Sequence, residues 1–203
     1  MSDETWTDAE WQSFYQMADA FMAPANALSS SAMTDEIAAA MLYACSRFNA
    51  FAMQAQDPAG ATLDNEAVGF LAEEFESHLL DSMEEQIAPT QGSRDNPVGG
   101  PERAVVILRD LDGKNESDVS EFLDLADRFL AVANHMLEGA RIGRVSAAFM
   151  HAAARFNVYT MQCLGHPAEQ VDQGLVAAFR DVYAALVHYH GQDALVSGSP
   201  DQA

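Results

Sequence analysis

Positive charge is what this chain lacks most. One lysine, Lys114, and nine arginines stand against thirty-one acidic residues in 203, a formal net charge of -21. Such a surface repels phosphate backbones, so nucleic acid is excluded as a partner. Cysteine is nearly as scarce: Cys45 and Cys163 are the only two. They show no Cys-x-x-Cys spacing, and two isolated thiols make no disulfide framework. No run approaches the roughly eighteen apolar residues that a membrane-spanning helix needs. The stretch Met1-Ser2-Asp3-Glu4 lacks the basic start and apolar core of a secretory signal, so the expected location is cytoplasmic. Missing too are a P-loop, a Gly-x-Gly-x-x-Gly turn and a Gly-x-Ser-x-Gly elbow, and with them the usual routes to nucleotide binding and serine hydrolysis. Prolines number seven and 49% of residues are hydrophobic, a balance that suits a soluble helical protein.

What the chain does have is a copy of itself. Shifting the sequence by 108 positions aligns Arg47-Phe48-Asn49 with Arg155-Phe156-Asn157, Ala18-Asp19 with Ala126-Asp127, and Met53-Gln54 with Met161-Gln162. Over residues 14–56, sixteen of forty-three aligned pairs are identical. This is a duplicated unit, and each unit of some 80 residues is marginal by itself. The two cysteines align with Ala153 and Ala55, so they form no duplicated site. Charge has diverged between the copies. Residues 1–88 hold sixteen acids and one base, Arg47, whereas residues 114–203 hold eleven acids and six bases.

Hydrophobic spacing places three helices in each copy. Thr7 with Glu10 three residues later forms a capping box, and Phe14, Met17, Ala18, Phe21, Met22, Ala25 and Leu28 follow at helical intervals. Pro24 interrupts this stripe and predicts a kink or break, where the second copy has Val132. The second helix spans Thr34 to about Gln56, with Asp57-Pro58-Ala59-Gly60 as its stop. It is apolar nearly all round and alanine-rich, which makes it the packing hub. The third helix runs from about Asp64 to Ile87. The second copy repeats the plan, with a first helix ended by Gly139, a hub over Val145–Leu164 and a third helix from Ala168 to about His190. Residues 89–115 form a Pro/Gly-rich linker in which Val105–Leu108 reads as an apolar segment that docks on helices. Residues 193–203 read as a disordered tail. The expectation is an all-α, pseudo-dimeric bundle of two tandem three-helix units, 1–88 and 116–192, packed on each other through Leu42, Met53, Met150 and Met161.

Four polar positions recur: Asp19, Asn26, Arg47 and Asn49 return as Asp127, Asn134, Arg155 and Asn157. With no repeated nucleophile or base beside them, they read as a structural network fixing helix register, Asp19 pairing with Arg47 and Asp127 with Arg155. Read functionally, the same positions form a duplicated anion-binding or catalytic site. Glu74 and His78 lie one turn apart where the second copy has Val182 and Leu186, and polar groups at core-like places are candidates for a ligand, metal or acid–base site. His166, His188 and His190 are expected in solvated or capping roles. No catalytic residue, cofactor or metal is assigned.

The runs Ala126 to Asn134 (ADRFLAVAN) and Val145 to Asn157 (VSAAFMHAAARFN), with their looser counterparts from Ala18 and Ile37, resemble the domain of unknown function 3144 family, small helical proteobacterial proteins. The first copy departs from the motif at Pro24, Cys45 and Ser46. The resemblance implies a helical fold in two tandem copies and carries no activity. The expected function is a non-enzymatic interaction or scaffold module offering an acidic surface to a basic protein partner. The rival expectation is a small-ligand or metal-binding protein, or an enzyme, with its site at the repeated Asp/Arg pairs or at Glu74 and His78.

Overall fold

Six helices make up the computed structural model, which describes residues 6–56, 63–84, 116–163 and 173–197. They are α1 (Asp8–Leu28), α2 (Thr34–Gln56), α3 (Asn65–Glu84), α4 (Glu116–Met136), α5 (Ile142–Cys163) and α6 (Gln173–Ser197). No strand occurs among the described residues. The capping box at the start of α1 forms as spacing predicts: Glu10 N–H donates to Thr7 Oγ1 at 3.3 Å and Thr7 N–H to Glu10 Oε2 at 3.0 Å. At α3 the Asp64 carboxylate accepts from Ala67 N–H at 2.8 Å, satisfying one of the donors that a helix start leaves over.

Two expectations about helix continuity meet the structure differently from their statement. Of the kink or break expected at Pro24 the break does not occur, since α1 stays helical through it. Its flanking residues Phe21, Ala25 and Leu28 are buried, so packing holds the turn that proline weakens. α6 does not stop near His190 but continues through Gly191 to Ser197, into the stretch expected as a tail. Gly191 serves packing rather than termination: a Cβ there would lie 2.5 Å from Leu63 Cδ1, and its carbonyl accepts from Gln54 Nε2 at 2.9 Å. The linker 89–115, with its run Val105–Leu108, and residues 198–203 lie outside the described residues.

The hubs α2 and α5 pack against each other at the centre. Ala38, Ala39, Ala40 and Ala44 on α2 and Ala148, Ala152, Ala153 and Ala154 on α5 are all fully buried, and their small size lets neighbouring backbones come close. The partners of each hub come mainly from the other repeat. α5 packs on α1 and α3, and α2 packs on α4 and α6, while α2 meets its own α1 and α5 its own α4 only marginally. α1 also meets α4, and α3 meets α6. These pairings obey a pseudo-twofold: exchanging the repeats turns α1·α5 into α4·α2 and α3·α5 into α6·α2. The two units are thus interleaved. Phe75 and Tyr183, equivalent by the 108-residue shift, stack with centroids 4.5 Å apart and planes 17° apart. Leu42, Met150 and Met161 are buried in this shared core and Met53 packs against it.

Candidate functional site

The repeated polar residues do not converge on one site. Arg155 pairs with Asp19 of the other repeat at 3.1 Å, not with Asp127 of its own. The arginine side chain is 26% exposed and the aspartate 68%, so the pair is solvated and worth at most about 1 kcal/mol. Arg47, Asp127, Asn26 and Asn134 are exposed. No ion pair forms at Arg47 among the described residues. The expected Asp19–Arg47 and Asp127–Arg155 pairs are therefore replaced by a single pair across the repeats, because α1 packs on α5 rather than on α2.

Asn49 and Asn157 are the buried members. Asn49 Nδ2 donates to Tyr183 Oη at 2.5 Å, and Ser146 Oγ donates to Asn49 Oδ1 at 2.6 Å, tying α2, α6 and α5 together. Burial pushes the Tyr183 hydroxyl and the nearby Cys45 thiol well above their ordinary pKa ranges, so both stay neutral. Asn157 has no such network; its Nδ2 donates to Ala153 O of its own helix at 2.7 Å. Tyr183 and Ser146 correspond to Phe75 and Ala38 in the other repeat, which offer no hydroxyl. Register is set by amides and hydroxyls, not by Asp and Arg.

Glu74 and His78 do line a site, and it is a cavity of about 510 Å³ between the repeats. α3 supplies Glu74, His78, Asp81 and Glu84 on one wall. Trp6, just before α1, and Trp11, Phe14 and Tyr15 of α1 form the other, and α5 contributes Ala147 and His151. The aromatic wall is continuous. Trp6 and Trp11 centroids are 4.8 Å apart, Trp11 stacks on Tyr15 at 5.9 Å, and Phe14 meets His151 at 5.4 Å. Arg144 fixes this wall from behind, its guanidinium 5.3 Å from the Trp6 ring centroid and paired with Glu10.

The imidazoles of His78 and His151 meet edge-to-face at 5.4 Å. Burial lowers the pKa of His78, opposed by Glu74 and Asp81. Burial lowers the pKa of His151 to about 4, helped by repulsion from Arg155 and from His78 when that ring is protonated. Both rings are neutral at pH 7. His151 is 5% exposed and its Nε2 has no hydrogen-bond partner. Among the described residues no three His, Cys, Asp or Glu side chains assemble as metal ligands. Sequence reasoning found Glu74 and His78 through their apolar counterparts, but it passed over His151 and the aromatic wall. The signal for His151 was its alignment with Tyr43. At the equivalent place across the pseudo-twofold, Tyr43 packs edge-on against Phe122 at 5.5 Å and His190 at 4.6 Å, and Val182 and Leu186 replace the glutamate and histidine. His190 is thus buried rather than solvated.

No curated protein and no solved structure matches the chain. A family model does match it, over residues 14–87 and again over 122–193. Both stretches contain the Arg-Phe-Asn motif and the hub helix, and together they cover most of the described fold. The chain belongs to the family described as protein of unknown function (DUF3144), present here as two tandem copies.

Proposed function

We propose that this protein is a non-enzymatic binding module whose interleaved repeats form a scaffold for one small-molecule site, the cavity beside Glu74 and His78. The observation that carries this reading is the divergence of the two pseudo-equivalent places. One keeps rings closed on rings around Tyr43, whereas the other opens a cavity of ligand size with polar groups on an aromatic wall. Among the described residues the lining supplies a shaped wall and neutral imidazoles but no serine, cysteine or lysine nucleophile, so it suits retention of a ligand better than turnover.

A fragment screen by amide NMR tests the proposal. The full chain is compared with a variant carrying Glu74→Val and His78→Leu, the residues that the second repeat has at these places. Fragments that shift the amides of Tyr15, Glu74 and His151 in the parent and not in the variant are the expected result. No hits at these amides, or the same hits in both proteins, would count against the cavity.

A further inference from the structure

The chemistry of the cavity narrows what it holds, a deduction that rests on the cavity being the binding site. Trp6, Trp11 and Tyr15 line the cavity, and Trp11 and Tyr15 remain 45% and 42% exposed although each is large and apolar. A ring face carries the negative end of the aromatic quadrupole, so it attracts cations and disfavours anions. Opposite these rings stand Glu74, Asp81 and Glu84, with no lysine or arginine among the described lining residues to neutralise them. Trp6 already takes a guanidinium on its face, at 5.3 Å, but that Arg144 is committed to Glu10. At the base of the site, His151 keeps a buried ring nitrogen with no partner in the protein.

These features select against the other ligand classes one at a time. An anion meets three carboxylates, Glu74, Asp81 and Glu84, and a wall of electron-rich rings. A metal ion finds no converging set of three ligands among the described residues. A neutral apolar molecule fits the rings but buries the carboxylates and leaves the imidazole nitrogen unsatisfied. We infer that the cavity binds a small organic cation, a methylated or protonated ammonium seated between the Trp11 and Tyr15 rings and the Glu74 and Asp81 carboxylates, with a polar arm reaching His151 Nε2. The volume of about 510 Å³ suits a small molecule. The acidic first repeat, with sixteen acids against one base over residues 1–88, raises the local concentration of such a cation.

Both tryptophans of the chain stand in this wall, so intrinsic fluorescence reads the site directly. The full-length protein is titrated with choline and, separately, with dimethylbutanol, the isostere in which carbon replaces the charged nitrogen and the hydroxyl is kept. Choline is expected to change the emission saturably, with a Kd about tenfold or more below that of dimethylbutanol. Glu74→Gln with Asp81→Asn, two exposed positions whose exchange keeps shape and removes charge, should raise the choline Kd roughly fivefold. Equal affinity for the two probes overturns the cation assignment and leaves the cavity as a site for neutral ligands. No response to choline, alongside cavity-dependent hits in the fragment screen, overturns the cation assignment alone. No response in either experiment removes the site as well.

Discussion

At the scale of single residues, the interior is held in register by one amide. Asn49 joins Tyr183 and Ser146, and all three are buried. Asn49→Ala strands two buried hydroxyls and is expected to cost roughly 2 to 5 kcal/mol. Asn157→Ala removes only a bond to a carbonyl of its own helix and should cost about 1 kcal/mol. Urea unfolding of the two variants checks this, and equal losses would refute the distinction. His151 supplies a second residue-level expectation. Its pKa falls from 6.5 in the unfolded chain to about 4 in the fold, so the unfolded state binds more protons between these values. The contribution of His151 is therefore intact above about pH 6.5 and lost as pH falls towards 4. The groups facing it are His78 from α3, Asp19 from α1 and Arg155 from its own helix, with Asp19 alone opposing the shift. Between pH 7 and pH 5 the urea midpoint should drop more in the parent than in His151→Tyr, which takes the residue found at the equivalent place. Identical drops would show that His151 does not titrate as its burial requires.

At the scale of elements, Pro24 is the weak point of α1. It withholds one backbone hydrogen bond and crowds the preceding turn, yet the helix remains continuous from Asp8 to Leu28. Pro24→Val, the residue that α4 carries at the matching position, should stabilise the protein by roughly 1 to 3 kcal/mol, less what the proline gains by restricting the unfolded chain. A thermal melt that is unchanged or lower would overturn this account. The helices themselves were legible because their signals are local: Thr7 with Glu10, Asp64 before α3, and the apolar spacing of each stripe. Where legibility failed, the deciding contact came from far along the chain. Gly191 reads as a stop until Leu63 is known to lie against it, and Arg155 seems bound to Asp127 until α1 is found beside α5. The site shows the same division. Glu74 and His78 stand out against Val182 and Leu186 in the aligned copy, whereas the Trp6, Trp11 and Tyr15 wall becomes a site only once α3 and α5 are placed opposite it.

At the scale of the whole molecule, periodicity tells which face of each hub is buried but not which repeat covers it. The cover comes from the other repeat, and this sets what a separated repeat can do. A fragment of residues 1–92 or 114–203 leaves its hub without its main neighbours, so neither should fold as a monomer. Each can recover those neighbours from a second copy of itself, because the pairings α2·α5 and α3·α6 lie on the pseudo-twofold and have self-paired equivalents. Charge then separates the two fragments. Residues 1–92 carry sixteen acids and one base, so pairing two copies brings together two strongly negative chains. Residues 114–203 carry eleven acids and six bases, and their first helix has Val132 where the other has Pro24. The second fragment is therefore expected to form a helical homodimer at micromolar concentration, and the first to stay largely unfolded at low salt and gain helix as salt screens its charge. Mixing the two should yield a one-to-one complex with the helicity of the intact chain, since the native pairings are then restored. Circular dichroism against concentration and salt, with mass from light scattering, tests each step. A cooperatively melting, helical monomer from either fragment would show that a repeat folds on its own contacts, and the interleaved arrangement would then not be what holds this protein together.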